Sequence, residues 1–395
     1  MARLFIFLNI FFVLTAVTTS LTKHKPKQKP RAFAIPILKD TISGLYYTNM
    51  TVGKPPLNVN LVLDVTASAL YFNCRELGYN STTYTPVLCG SRGCAQTKDR
   101  CTTCFGPFGP TCRNDTCISG VESDLAFTPT VNYLVNDDLM ILRDTSPSAH
   151  LAPIPLRASF ACVGDGFQAY TKLPYGSNGG LGLGNTSTSF VNAIVSSYKI
   201  PFKVALCLPS KPGNNYSGAV YIGGSPYVLP PNRKDVTGLL VSTPLTRFAL
   251  HGGESARISS SLIPYGLLET SIYKSLVKAF AGKAKKRKAV APFTDCFSYK
   301  SFGGKSLLDK EIPVISLVMG GGAKWNIYGP DSLVKVKKTV VCLAFIDAGV
   351  GVRFPVEIGG YQVEDNLIEF DLEASKFSFT SSLLLHNTSC SRPLC

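Results

Sequence analysis

The sequence predicts a mostly β protein built as two lobes. Alternation of apolar and polar residues with period two dominates the chain from Ala32 onward, and helical stretches are few. At 395 residues the chain is long enough to build more than one core. A comparable set of features (a polar loop after a strand, a helix and a glycine-rich turn) occurs in residues 32–202 and again in 203–395, as two pseudo-symmetric lobes would produce.

The elements follow in order. Leu4 to Val17 is apolar behind Arg3 and precedes Thr18-Thr19-Ser20, so residues 1–20 read as a secretory signal peptide rather than a membrane span. Residues 21–31 mix basic residues with prolines and read as a disordered lead-in. Ile35 to Leu38 begins ordered structure, Gly44 to Gly53 alternates as a strand, Lys54-Pro55-Pro56 breaks it, and Leu57 to Leu63 resumes β periodicity. In Leu61-Val62-Leu63-Asp64-Val65-Thr66-Ala67-Ser68, three aliphatic residues deliver one carboxylate to a tight polar loop. A second apolar run, Ala69 to Cys74, follows.

Cysteine, glycine and proline are dense between Cys74 and Cys117, which predicts a disulfide-rich insertion in the first lobe. A strand is expected near Ser159–Val163, and Ser189 to Ser197 is a helix candidate. Gly179 to Gly184 lies between them and lacks the Lys-Ser/Thr of a phosphate loop, so it predicts close backbone packing. In the second half Val204 to Pro209 and Gly218 to Gly224 are strand and turn. Ala256 to Tyr265 takes the place of a second polar loop, and Thr270 to Phe280 reads as the helix after it. Val356-Glu357-Ile358-Gly359-Gly360 mirrors the earlier glycine segment.

Thirteen cysteines and six Asn-X-Ser/Thr sequons, at Asn49, Asn80, Asn114, Asn185, Asn215 and Asn387, fit a secreted glycoprotein. Cys101-x-x-Cys104 has no histidine-rich companion set, so disulfides are expected there and no metal or cofactor is implied. The net charge is +15, of which six positives precede Ala32 and +9 remain thereafter. Lys283, Lys285, Lys286, Arg287 and Lys288 form a basic cluster that reads as a solvated loop or as an adhesive for acidic polysaccharide or acidic partners. Secretion argues against nucleic acid.

The Asp64 stretch resembles the first active-site loop of pepsin-like aspartic proteases, whose pattern is hydrophobic-hydrophobic-Asp-Thr-Gly-Ser. Val65 stands for the Thr and Thr66 for the Gly. Proteolysis of that kind needs two carboxylates sharing a proton, one as base on water and one as acid. The matching second loop holds Ser259, Ser260 and Ser261 and no acid, with Ser260 aligned to the aspartate and Ser259 one slip away. Only about a dozen residues separate the signal from Ile35, too few for the family's pro-segment. The expectation is therefore a pepsin-like bilobal fold without protease activity, with Asp64 reduced to a turn residue. A serine hydrolase on Ser260 would need a paired base, and His24, His150, His251 and His386 show no motif for one.

Residues 258–273 and the cysteine order resemble a narrower group, the plant inhibitor-like branch of this fold. It includes xylanase inhibitors, basic 7S globulins, gamma-conglutins and extracellular dermal glycoproteins. The matching cysteines are Cys74, Cys89, Cys94, Cys101, Cys104, Cys112, Cys117, Cys162, Cys207, Cys296, Cys342 and Cys390, with Cys395 as an extra. The resemblance implies disulfides at those twelve and binding of microbial glycoside hydrolases (xylanase or xyloglucan-specific endoglucanase) in the apoplast or cell wall, in plant defence. It also points to two contact segments. One is Ser301 to Leu308, with Lys305, Leu307 and Leu308. The other is Leu385 to Cys390, where His386 holds the position of a histidine that enters the target's carboxylate pair. The endoglucanase inhibitors use an arginine where this chain has Asn387. The alternatives are a wall or storage glycoprotein binding a peptide or acidic polysaccharide, and a residual aspartic endopeptidase.

Overall fold

The computed structural model describes residues 31–95, 100–103, 114–121, 131–144, 154–163, 174, 176–186, 189–245, 256–258, 263–282 and 284–393. The signal peptide and almost all of the lead-in lie outside the described residues, as do Cys104, Cys112, Ser259, Ser260, Lys283 and Cys395.

A sixteen-stranded sheet runs through both halves. At its middle lies Tyr216–Ile222, almost wholly buried. Phe33–Lys39 pairs with it on one side, Phe33 opposite Ile222, and Lys203–Cys207 on the other, Val204 opposite Ile222. Beyond Lys203–Cys207 come Leu367–Asp371, Lys376–Phe379 and the edge strand Val241–Pro244. Beyond Phe33–Lys39 come Tyr46–Val52, Leu57–Asp64 and Gly179–Gly182. Alternation in Phe33–Lys39 and Tyr46–Val52 places Phe33, Ile35, Ile37, Tyr46, Met50 and Val52 in the core. The same core takes Trp325, Phe377 and Phe379 from the second half, Trp325 stacking on Phe379 at 5.5 Å. Each such large side chain, fully buried, contributes about 1.5–3 kcal/mol.

Both predicted helices form. Phe190–Tyr198 starts at Ser189, whose hydroxyl accepts from Asn192 N at 3.1 Å, and buries Phe190, Val191 and Ile194. Thr270–Ala281 is capped by the Glu269 carboxylate on Ser271 N at 2.7 Å. Its Tyr273, Val277 and Phe280, spaced four and three apart, pack on a second core of Phe297, Val341, Leu343 and Phe345.

That second core underlies a four-stranded sheet in the order Lys286–Arg287, Cys296–Ser298, Val340–Leu343, Leu333–Lys337. Among the described residues, five bridges join ten of the twelve matched cysteines: Cys74–Cys162, Cys89–Cys101, Cys94–Cys117, Cys207–Cys390 and Cys296–Cys342. Cys101 is thus committed to a disulfide, and among the described residues no histidine, cysteine or acid cluster could hold a metal ion. No described helix is long and apolar enough to cross a membrane.

Candidate functional site

Leu61, Val62, Leu63 and Asp64 are completely buried, which explains why that strand reads as a continuous apolar run before its acid. Gly179–Gly182 lies parallel to it, Gly182 opposite Asp64, and antiparallel to Tyr71–Phe72. A Cβ on Gly182 would stand 2.1 Å from the Ala69 carbonyl oxygen, so the glycine run serves close backbone packing behind the loop. Asp64 Oδ1 accepts from Thr66 N at 2.9 Å, Thr66 Oγ1 at 2.8 Å and Ala67 N at 3.0 Å. The carboxylate folds its own turn, and Thr66 engages it with both its N–H and its hydroxyl.

The second half repeats this frame. Val356–Ile358 runs parallel to Ala256–Ile258 and antiparallel to Gly266–Leu268, which in turn pairs in parallel with Phe345–Asp347. In the first half Tyr71–Phe72 pairs in parallel with Ala161–Cys162. By register, Leu61, Val62 and Leu63 correspond to Ala256, Arg257 and Ile258. Gly359 closes on the Tyr265 backbone at 2.4 Å from a Cβ, as Gly182 closes on Ala69. Buried Gln362 clamps this frame: Oε1 accepts from Gly266 N at 2.7 Å, and Nε2 donates to the carbonyls of Ala344 at 2.7 Å and Asp331 at 3.1 Å.

Sequence reasoning missed a buried polar cluster next to that frame, because its members lie far apart in the chain. Glu364 forms an ion pair with Lys39 and accepts from Tyr46 Oη at 2.6 Å. Lys39 also lies over the Tyr361 ring at 5.7 Å. Burial, outweighing Lys39 and Tyr46, pushes the Glu364 carboxyl up to about 7. Burial also drives Asp331, which accepts from Asn366 Nδ2 at 3.3 Å, well above the carboxylate range, and raises Asp365.

The two second-half segments are compact. In Ser301 to Leu308, Gly303 and Gly304 both take positive φ. Gly304 packs on the Lys300 backbone and Gly303 against Asp309. Lys305 is exposed, Leu307 half-buried against the second core, and Leu308 43% exposed, a large apolar side chain turned to solvent. Leu383–His386 is a single 3-10 turn ended by Asn387 in the left-handed region, φ 54°. Thr388 Oγ1 donates to the Pro230 carbonyl at 2.5 Å, Cys390 N donates to Asp365 Oδ1 at 2.8 Å, and Cys390 is bridged to Cys207. On this turn Leu385 is 46% exposed, His386 half-buried and Asn387 exposed. Lys234 Nζ donates to the His386 carbonyl at 2.9 Å, bringing a cation to the turn that no sequence pattern announced. Residues 326–329 run between them: Asn326 N donates to Ser381 Oγ, four residues before Leu385, and Gly329 packs on the Leu307 carbonyl. The asparagines of all six sequons are exposed.

Two family models match this architecture, xylanase inhibitor N-terminal over residues 46–224 and xylanase inhibitor C-terminal over 227–381. A Nicotiana benthamiana protein named "Probable aspartic proteinase GIP2" is 30% identical, the alignment covering 95% of each chain. The chain belongs to the plant xylanase-inhibitor-like family. The crystal structure of edgp superposes with a TM-score of 0.83 at 28% identity, covering 93% of this chain and 98% of that one. An aspartic proteinase from Irpex lacteus matches at a TM-score of 0.58 and 13% identity over 91% of this chain and 99% of that one, which establishes the pepsin-like fold. The family is related to aspartic proteases but generally non-catalytic.

Proposed function

We propose that this family member is a secreted, proteolytically inactive protein that binds and inhibits microbial cell-wall-degrading glycoside hydrolases, xylanases or xyloglucan-specific endoglucanases. The observation that carries the reading is the His386 turn. It is stapled by Cys207–Cys390 and by the Thr388 and Cys390 hydrogen bonds, and it presents Leu385 and His386 beside Lys234. Glycoside hydrolases work with a pair of carboxylates flanking the scissile bond. A rigid turn offering a cation to that pair forms charge-assisted hydrogen bonds at little ordering cost. Exposed Leu308 and Lys305 supply an apolar anchor and a second charge on the neighbouring segment.

Absence of proteolysis follows from the second loop. Ile258 takes the place of Leu63, and the sequence after it runs Ser259, Ser260 and Ser261 with no acid. A serine cannot hold the shared proton. Asp64 then keeps a structural duty.

The test is titration of the glycoprotein into xylanases and xyloglucan-active endoglucanases, with His386→Ala and Asn387→Gln alongside. Wild type is expected to abolish activity of at least one enzyme in a one-to-one complex. His386→Ala should weaken that inhibition roughly 30-fold or more, a loss of about 2 kcal/mol or more. Asn387→Gln removes any glycan from the tip and should inhibit at least as well. A wild type that leaves every enzyme untouched overturns the reading.

A further inference from the structure

The chain's positive charge is not spread over its surface. Residues 264–345 hold fourteen lysines and arginines against five acids, a net +9 that equals the whole net charge after Arg31. The four-stranded sheet concentrates it. Lys285 lies opposite Ser298, whose N–H donates to the Lys285 carbonyl at 2.8 Å. One step further Tyr299 N donates to the Thr339 carbonyl at 3.0 Å, which brings Lys300 beside Lys338, and Lys337 pairs with Val340. Four cations from three separate segments, Lys285, Lys300, Lys337 and Lys338, therefore meet at one end of the sheet, all exposed. Lys335 lies next to them over the Tyr299 ring at 4.7 Å. In residues 284–300 and 333–343 the only acid is Asp295. It sits at the opposite end, where its oxygen is 3.3 Å from Lys286 Nζ and its carbonyl accepts from Leu343 N.

We propose that this end of the sheet is a binding site for an acidic polysaccharide, a polyuronate. Adjacent strands lie about 4.8 Å apart, so the lysines form a row across the sheet that a linear polymer of repeated carboxylates can follow. A folded protein partner fits worse, because protein interfaces are anchored by buried apolar or aromatic side chains. None of the exposed large hydrophobics falls in residues 284–300 or 333–343. A polyanion needs no such anchor: its affinity comes from the counterions released when lysines neutralise its charges. The site is separate from the His386 turn and does not depend on the inhibitor reading, although Gly304 packs on Lys300 and so joins it to the Ser301–Leu308 segment. Anchoring by this row would hold the protein on the wall while the His386 turn stays free.

The experiment is affinity electrophoresis and salt elution of the full glycoprotein on polygalacturonate, with a neutral xyloglucan as reference. Three variants accompany it: K285Q/K300Q/K337Q/K338Q, the same four positions to arginine, and K54Q/K199Q/K324Q/K376Q as a charge-matched control on scattered exposed lysines. The clustered glutamine variant is expected to bind about tenfold more weakly or worse and to lose most of the salt dependence. The arginine variant and the scattered control should stay within about twofold of wild type, with all melting temperatures alike. Equal losses in both glutamine variants would mean that bulk charge acts rather than a site, and overturn the proposal. So would wild-type retention no stronger on polygalacturonate than on xyloglucan, or capture of an acidic protein that the clustered variant loses while polygalacturonate binding is unchanged.

Discussion

At the scale of single residues, Asp64 looks catalytic in sequence and acts as a brace. Its Oδ1 takes two backbone N–H groups and a hydroxyl, all from the next three residues. Asp64→Ala leaves buried donors without a partner and should cost about 1–3 kcal/mol, read as a lowered thermal midpoint. Asp64→Asn keeps an acceptor and should lose less. Neither change should alter hydrolase inhibition, and wild type should cleave no peptide at acid pH. Asp64 was legible as the head of a turn because the aliphatic run before it and the small polar residues after it are local signals. Lys39, Tyr46, Asp331 and Glu364 were not, because nothing local marks residues drawn from segments hundreds of positions apart.

At the scale of elements, helices and strand positions were readable from periodicity and caps: Ser189 and Glu269 stand where the chain turns helical. Pairings were less so. The parallel match of Ala256–Ile258 with Val356–Ile358 spans about a hundred residues, and only likeness to the first half hinted at it. The convergence of Lys335, Lys337 and Lys338 on the Lys285 end follows from that sheet's order, which spacing cannot give. The Cys207–Cys390 bridge closes 183 residues. The paired change Cys207→Ser with Cys390→Ser should lower stability by about 2–5 kcal/mol, measured by denaturant unfolding. At temperatures where the variant remains folded, it should weaken inhibition beyond that of a Cys296→Ser, Cys342→Ser control, since only the first bridge holds the His386 turn.

At the scale of the whole molecule, Lys39 from the first half reaches Glu364 from the second in a largely buried polar cluster with Tyr46, Tyr361, Tyr265, Asp365 and, through Asn366, Asp331. Glu364 titrates near 7 folded against 4.5 for the ordinary side chain. Between those values the native state holds the proton that the unfolded chain has released, so stability falls as pH rises through the window and levels above it. The span corresponds to about 3 kcal/mol, and the raised Asp331 and Asp365 act in the same direction. Melting temperature should therefore decline from pH 5 to pH 7.5, and Glu364→Gln should flatten that decline. A rise over the same range would contradict the burial argument. Stability is thus greatest on the acid side of neutrality.

The central strand Tyr216–Ile222 takes partners from both directions along the chain, Phe33–Lys39 far upstream and Arg392–Pro393 far downstream. Its neighbour Lys203–Cys207 likewise waits for Leu367–Asp371. Synthesis delivers these pieces in an order that assembly cannot follow. A nascent chain paused anywhere before residue 367 exposes one flank of Lys203–Cys207 as an open hydrogen-bonding edge, and most of the second half must emerge before that edge is covered. Closing the sheet is a late event governed by long loops, slow relative to helix formation and exposed to off-pathway pairing. The compartment that supplies the disulfides therefore also has to shield a half-built sheet.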